Sequence, residues 1–316
     1  MKRSGERILT THVGSLPRPP DLLDMVQAKE QRKPVDEKAH AAKLRASVKD
    51  VVRKQIELGI DIIDDGEFGK PSFVSYVNER LGGFKLDTEV PRQSPWAASR
   101  EARSFPEFYG DGHVAARQNH MVCTAPVTYR GMAQLQVDIA NLRAALNGAK
   151  PAEVFMPAIS PTSAADWQRN GYYKSEEEYL FAIADALREE YEAIVKAGFL
   201  LQVNVGAYQF EAANPRHEHE WVVWRSVKLP PGKVLIPGVI SHATNIVEHP
   251  ELVAQRIVRL ANIVGRENLM GGTDCGFAQS PFAQRVHPTI MWAKLRSLAE
   301  GAKIATDELW GRRSAA

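Results

Sequence analysis

The chain has 316 residues, of which 44% are hydrophobic and 25% are charged. These are ordinary values for a folded globular protein, so they exclude disordered and fibrous classes. The 40 basic and 38 acidic residues leave a formal net charge of +2, which favours neither nucleic acid nor an acidic membrane as a partner. The sequence shows no bilayer-spanning apolar run, no secretion signal and only two cysteines, so we expect a cytoplasmic protein.

Short apolar runs alternate with long amphipathic segments along the whole chain. The short runs predict seven strands, at residues 7–11, 60–64, 121–126, 153–158, 199–210, 234–241 and 268–273. The long segments predict helices, among them 35–58, 175–197, 250–264 and 288–306. Gly59 and Gly198 are placed to end two of these helices, and Ser175 begins a capping-box pattern. Strands that alternate with helices indicate a parallel sheet covered on both faces.

Polar segments rich in glycine or proline follow several of the predicted strands. This arrangement is typical of a (β/α)8 barrel, whose active site is formed by the loops at the carboxyl ends of its strands. The alternative is an open doubly wound sheet, but the first predicted strand is not followed by a glycine fingerprint. We therefore predict a single TIM-barrel-like α/β domain over residues 1–316. The polar segment 82–118 is interpreted as an insertion over the barrel mouth.

Two residues that carry thiol or acid–base chemistry follow the last two predicted strands. Cys275 lies beside Asp274 and is either a thiolate ligand or nucleophile, or a small buried apolar residue. His242 follows the strand at 234–241, where it serves either in proton transfer or in structure. Cys123 lies within an apolar run and is interpreted as a core residue.

Carboxylates cluster after two other predicted strands. Asp64, Asp65 and Glu67 lie at the end of the second predicted strand, where they suit an ammonium group of a substrate, or alternatively the amino end of a helix. Glu211 ends an apolar run, and a carboxylate in a barrel wall needs a partner. We expect Glu211 to face the barrel mouth or to pair with Arg216.

Five motifs in a fixed order resemble the catalytic domain of the cobalamin-independent methionine synthases, in its single-barrel form. The motifs lie at 11–19 (Thr-His-Val-Gly-Ser-Leu-Pro-Arg-Pro), 65–67, 210–216, 241–245 and 273–277 (Thr-Asp-Cys-Gly-Phe). The family that the chain resembles also includes the epoxyalkane:coenzyme M transferases. The resemblance implies that a Zn²⁺ ion held by one His, two Cys and one Glu binds a small-molecule thiol and deprotonates it. The thiolate then takes a methyl group from 5-methyltetrahydrofolate.

The resemblance also implies roles for individual residues. Cys275 and Glu211 correspond to two of the zinc ligands, and His242 corresponds to the histidine that supplies the proton of the leaving group. The substrate homocysteine is expected to be bound by four residues: Ser15 at its carboxylate, Glu67 at its ammonium group, and His12 and Asp65 beside them.

The sequence departs from the family pattern before Glu211. The other two zinc ligands, expected as His-x-Cys, are absent, and two strands look fused near Gln202 and Val203. About two βα units, roughly 60 residues at ~30 per unit, are missing there. They are either deleted from the protein or left out of the sequence as printed. His217 and His219 are candidate substitutes, although a solvated loop is the favoured interpretation of that stretch.

The missing ligands affect the expected function. A zinc centre needs at least three protein ligands, and Glu211 and Cys275 provide two. We therefore expect a zinc-dependent methyltransferase whose thiol activation is impaired. The alternatives are an alkyltransferase that joins an epoxide to coenzyme M, and a degenerate barrel that binds its ligand without turnover.

Overall fold

The computed structural model describes residues 1–87, 103–107, 121–204, 225, 228–282 and 284–311. The strands, in chain order, are β1 (Leu9–Thr10), β2 (Ile62–Ile63), β3 (Leu81–Leu86), β4 (Met121–Tyr129), β5 (Glu153–Ile159), β6 (Gln168–Asn170), β7 (Leu200–Asn204), β8 (Gly238–Ile240) and β9 (Met270–Thr273). The helices are α1 (Pro20–Glu30), α2 (Glu37–Glu57), α3 (Val77–Arg80), α4 (Met132–Ala145), α5 (Pro161–Trp167), α6 (Glu176–Lys196), α7 (Pro250–Val264) and α8 (Pro288–Leu309).

Six of the described strands run parallel in the order β8–β9–β1–β2–β5–β7. Pairing is parallel within β8–β9–β1 and within β2–β5–β7. The amide of Asp61 donates to the carbonyl of Thr10 at 3.2 Å, which joins β1 to β2. Four of these strands contribute one buried residue each to a small inner cluster: Leu9, Ile62, Phe155 and Met270. Parallel strands around an apolar interior, with helices outside, confirm the predicted barrel-like α/β fold.

The predicted helices are confirmed, and their ends have local causes. Ser175 caps α6, because its Oγ accepts a hydrogen bond from the amide of Glu178 at 3.1 Å. Gly59 and Gly198 follow α2 and α6 with positive φ angles of 83° and 87°. The apolar faces of α2, α7 and α8 pack in the main hydrophobic core beneath the strands. None of the described helices combines the length and apolarity needed to span a bilayer.

A second, smaller sheet has the strand order β3–β4–β6. β4 pairs antiparallel with β3 and parallel with β6. The predicted strand at 121–126 therefore lies in this sheet, and β2 pairs directly with β5. β3 occupies the start of the segment predicted as an insertion, 82–118. Most of that segment lies outside the described residues, so its place over the mouth and the single-domain organisation stay predictions.

The parallel run has two open edges in the described part of the chain. There β7 pairs only with β5 and β8 only with β9. Val203 on β7 is 42% exposed. Within the described residues, the open edge of β7 lies at the point where the sequence predicts a loss of βα units, near Gln202 and Val203. Glu211, His217 and His219 lie outside the described residues.

Candidate active site at the carboxyl ends of the strands

The loop after β1 (residues 11–19, the β1 loop) lies between the loops of its two neighbouring strands. On one side, Leu16 donates its amide to the carbonyl of Gly66 at 3.0 Å. On the other side, Phe277 donates its amide to the carbonyl of Ser15 at 2.8 Å. The β1 loop therefore ties the β2 loop (residues 64–70) to the β9 loop (residues 274–282).

Two glycines allow these loops to approach each other closely. A Cβ atom on Gly14 would lie 2.9 Å from Oε1 of Glu67 and 2.6 Å from Cγ of Pro157 on β5. A Cβ atom on Gly276 would overlap the hydroxyl of Ser15. The Ser15 Oγ instead accepts the amide of Ala278 at 3.3 Å. The absence of a side chain at Gly14 thus lets Glu67 of the β2 loop approach the β1 loop, and its absence at Gly276 lets the β9 loop approach Ser15.

The β2 loop is a tight turn built by its own carboxylates. Asp64 Oδ1 accepts the amide of Gly66, and Asp65 Oδ1 accepts the amide of Glu67, each at 2.9 Å. Gly66 and Glu67 have positive φ angles of 70° and 58°. A left-handed conformation costs a residue other than glycine about 1–3 kcal/mol and is often found at functional sites.

Two carboxylates of the β2 loop, those of Asp64 and Glu67, each have one buried oxygen without a hydrogen-bond partner, and Glu67 is the one that faces Gly14 of the β1 loop. Glu67 is 2% exposed, and its Oε1 atom makes no hydrogen bond. The nearest cation is the Lys70 ammonium, 3.7 Å away, which also donates to the carbonyl of Pro157. Burial raises the pKa of Asp64 and of Asp65, in the second case against the attraction of Lys70. Burial thus opposes the ionisation of both turn-forming aspartates, although Lys70 favours it.

A second group of polar side chains joins the β8 loop (residues 241–249) to the β9 loop. The Nδ1 atom of His242 lies 2.9 Å from Oδ1 of Asp274, which also accepts the His242 amide at 2.7 Å. Burial favours a higher pKa for Asp274, but these hydrogen bonds outweigh it and lower the pKa. The Gln279 amide nitrogen lies 3.4 Å from His242 Nε2 and 2.7 Å from Cys275 Sγ. One amide group thus contacts both the imidazole and the thiol.

The contacts of Cys275 do not fit a zinc centre in the described residues. Burial raises the pKa of its thiol, although the hydrogen bond from Gln279 acts in the opposite direction. His242, which shares the Gln279 amide with Cys275, is engaged by Asp274. Across the described ranges, no three His, Cys, Asp or Glu side chains are grouped so that they could hold a metal ion. Three protein ligands are the minimum for a zinc site.

His12 belongs to the β1 loop, and its side chain contacts α2. Its side chain is 1% exposed, and its Nε2 atom lies 2.8 Å from Oε1 of Gln55 on α2. Gln55 also donates to the carbonyl of Asp64 at 2.8 Å. Burial lowers the pKa of His12 to about 4, so the imidazole is neutral near pH 7. This geometry places His12 as a support between α2 and two of the site loops, while direct contact with a substrate stays a prediction.

The structure brings five of the predicted site residues to one end of four adjacent strands. Ser15, Asp65, Glu67, His242 and Cys275 follow β1, β2, β8 and β9, which are neighbours in the parallel run. Three residues of this region were not singled out from the sequence: Arg18, Lys70 and Gln279. Arg18 lies inside the motif at 11–19, and the other two lie three or four residues after Glu67 and Cys275. That proximity was the only signal for them.

A family model described as the catalytic domain of cobalamin-independent synthase matches residues 8–204. This match spans more than half of the chain. The chain belongs to the cobalamin-independent synthase family. The match ends directly after Gln202 and Val203, where the sequence departs from the family pattern.

Several methionine synthases are among the curated relatives of this family member. The methionine synthase of Sulfurisphaera tokodaii is 23% identical over 352 aligned positions, which cover 95% of this chain and 93% of that protein. The methionine synthase of Thermococcus kodakarensis is 28% identical, over an alignment that covers 60% of this chain and 49% of that protein. The 5-methyltetrahydropteroyltriglutamate–homocysteine methyltransferase of Bacillus licheniformis is 28% identical over 67% of this chain. The chain spans about a quarter of that enzyme, 24% of its length.

Solved structures show the same fold. The B12-independent methionine synthase of Shewanella sp. W3-18-1, in complex with selenomethionine, superposes with a TM-score of 0.69 at 18% identity. The alignment covers 96% of this chain and 99% of that one. The putative B12-independent methionine synthase of Listeria monocytogenes superposes with a TM-score of 0.61 at 16% identity, over 94% of this chain and 98% of the other.

The alignment with the Sulfurisphaera protein bears on the shortened barrel. It has 352 positions but includes only 95% of a 316-residue chain, so about 50 positions lie opposite gaps in this chain. This shortfall is close to two βα units of ~30 residues each. It agrees in size with the loss predicted near Gln202 and Val203.

Proposed function

We propose that this chain is a thiol methyltransferase of the methionine-synthase type, with homocysteine as the acceptor and 5-methyltetrahydrofolate as the donor. The observation that carries the proposal is the buried Glu67 carboxylate, whose Oε1 lacks a hydrogen-bond partner and lies close to Gly14 of the β1 loop. The His242–Asp274 pair lies two strands away at the same end of the sheet. An amino-acid substrate that reached from Glu67 toward β9 would present its side chain to Cys275.

The first group of residues binds and orients the amino acid. Oε1 of Glu67 receives the substrate ammonium group in a charge-assisted hydrogen bond. The Ser15 hydroxyl accepts the Ala278 amide and keeps its own hydrogen available for the substrate carboxylate. Asp65 holds the backbone of Glu67 in the turn, so it acts on the substrate through its neighbour.

His242 supplies the proton that the reaction requires. Its Nδ1–H donates to Asp274, which fixes the ring, and its Nε2 lies 3.4 Å from the Gln279 amide nitrogen, which in turn donates to Cys275. When the substrate, as a thiolate that has already lost its proton, attacks the methyl carbon, a sulfur–carbon bond forms and a carbon–nitrogen bond breaks. The leaving folate nitrogen takes the electron pair of that bond, and Nε2 of the protonated ring supplies the proton as general acid.

Activation of the thiol is the step for which these residues do not suffice. The family implies a zinc ion, but only Cys275 and Glu211 of the expected donor set occur in the sequence. Without a metal, a thiol with a pKa of about 8.5 is only a few per cent thiolate near pH 7. We therefore propose that methyl transfer by this chain is impaired at this step.

The charge of the site favours homocysteine over coenzyme M. Coenzyme M carries a sulfonate and no ammonium group, so a buried carboxylate at Glu67 would repel it. We further propose that the protein acts in the cytoplasm on small molecules. Its two cysteines, Cys123 and Cys275, are unpaired thiols, as a reducing compartment allows.

Calorimetric titration with homocysteine tests the binding half of the proposal. The wild-type chain should bind homocysteine, and Glu67→Gln should weaken binding about tenfold or more, since a hydrogen bond to a charged group contributes about 1.5–3 kcal/mol. Glu189→Gln removes an exposed carboxylate from α6 and should leave binding unchanged. Equal affinities of wild type and Glu67→Gln would contradict the proposed substrate site.

A further inference from the structure

We propose that Arg18 is a positioning residue for substrate recognition: it holds Glu67 in the left-handed turn that directs its carboxylate over Gly14. This inference rests on the proposed function, because it takes Glu67 as the acceptor of the substrate ammonium group. It concerns a residue that touches neither the substrate nor the reacting atoms.

Arg18 acts as a clamp on the β2 loop. The side chain is 4% exposed, and its Nη2 atom donates to the carbonyls of both Glu67, at 2.8 Å, and Lys70. Its guanidinium carbon lies 6.0 Å from the ring centroid of Phe68. Every one of these contacts falls within residues 67–70. Arg18 belongs to the β1 loop, so it joins two loops that come from different strands.

These contacts hold the turn at the residue that carries the strain. Glu67 has a φ of +58°, which a residue other than glycine adopts only when its surroundings require it. The direction of its carbonyl depends on that backbone conformation. The carbonyl accepts two hydrogen bonds, from the Lys70 amide at 3.1 Å and from Arg18. Only the bond from Arg18 comes from outside the turn.

The geometry leaves the Glu67 carboxylate available. Arg18 binds main-chain oxygens of the β2 loop, and Oε1 of Glu67 keeps no hydrogen-bond partner. Burial lowers the pKa of Arg18 to about 10, against the attraction of Glu67 and Asp65, so it remains a cation near neutrality. Arg18 thus supplies a positive charge that balances the acidic loop without occupying the position of the substrate ammonium group.

A ligand pair that differs only in the ammonium group separates positioning from plain stability. Methionine and its des-amino analogue, 4-(methylthio)butanoate, share the carboxylate and the thioether. The wild-type chain should bind methionine at least tenfold more tightly in calorimetric titrations. Arg18→Gln should reduce this preference at least fivefold, because Glu67 no longer points at the ammonium group. Arg18→Lys keeps the charge but not the planar donor group, and should give an intermediate preference.

Arg130 offers a matched control. It also donates to two carbonyls, those of Glu79 at 3.0 Å and Asn78 at 2.9 Å, but it is exposed and lies outside the site loops. Arg130→Gln should keep the full preference for methionine. The inference is overturned if Arg18→Gln or Arg18→Lys, each folded by circular dichroism, weakens both ligands by the same factor or leaves the preference unchanged. If Arg18→Gln does not fold, Arg18→Lys decides. A wild-type chain without any preference would refute the ammonium site itself, and with it both the proposed function and the role of Arg18.

Discussion

The left-handed turn at Glu67 predicts that glycine at this position gives a more stable protein than alanine. Glu67→Gly and Glu67→Ala both remove the carboxylate, and they differ in backbone freedom. At a φ of +58° a residue with a Cβ atom is strained by about 1–2 kcal/mol, whereas glycine adopts this region freely. We therefore expect Glu67→Gly to be more stable than Glu67→Ala by about 1 kcal/mol. Urea unfolding of the two variants measures this difference directly.

A position inside a helix, where alanine is more stable than glycine, provides the control. Glu189 is an exposed residue inside α6, where glycine is less favourable than alanine by about 1 kcal/mol. Glu189→Gly should accordingly be less stable than Glu189→Ala. The sign of the difference between glycine and alanine is thus expected to reverse between the two positions. If Glu67→Ala equals or exceeds Glu67→Gly in free energy of unfolding, the turn is not left-handed and the reasoning about Glu67 and its clamp fails.

Two further predictions concern buried charge. Burial lowers the pKa of His12 to about 4, whereas the pKa in the unfolded chain is about 6.5. The neutral ring therefore contributes stability that is fully present above pH 6.5 and is lost as the pH falls through 4. The loss in the free energy of unfolding should be roughly 3 kcal/mol. His12→Gln should remove this part of the pH dependence. If wild type and His12→Gln show the same dependence of the free energy of unfolding on pH, His12 is not a buried neutral imidazole. Arg80 lies buried between Asp138 and Glu190, so Arg80→Met leaves two carboxylates without their cation and should cost about 3–5 kcal/mol in urea unfolding. Arg130→Met should cost less than about 1 kcal/mol, as expected for an exposed side chain, and equal losses would show that the ion pairs of Arg80 contribute little.

Much of the barrel could be predicted because its elements carry strong local signals. Long amphipathic periods with a cap such as Ser175 and a closing glycine such as Gly198 marked the helices, and the structure confirms them. β3 and β6 were not predicted. β3 contains Gly82 and Gly83 and an irregular register, so it shows no clear alternation, and β6 is only three polar residues long. Both are strands because β4 pairs with them, which is a tertiary effect.

The candidate site was predictable in its membership and not in its geometry. Ser15, Glu67, His242 and Cys275 each follow a short apolar run, and the carboxyl ends of parallel strands meet at one end of a barrel. The positive φ of Glu67 depends on contacts from another loop, so no local sequence pattern predicts it. The same holds for Gln279, whose contacts require the β8 and β9 loops to be adjacent.

The most direct test of the proposed defect in thiol activation measures zinc content and methionine formation together. The chain as it stands should hold well under one zinc per molecule and form little methionine from homocysteine and 5-methyltetrahydrofolate. A version with a segment bearing His-x-Cys restored between Gln202 and Val203 should gain one zinc and methyl transfer, and Cys275→Ser in that version should abolish both. One tightly bound zinc per chain in the present sequence, lost on Cys275→Ser, would contradict the account by showing that a residue such as His217 or His219 completes the site.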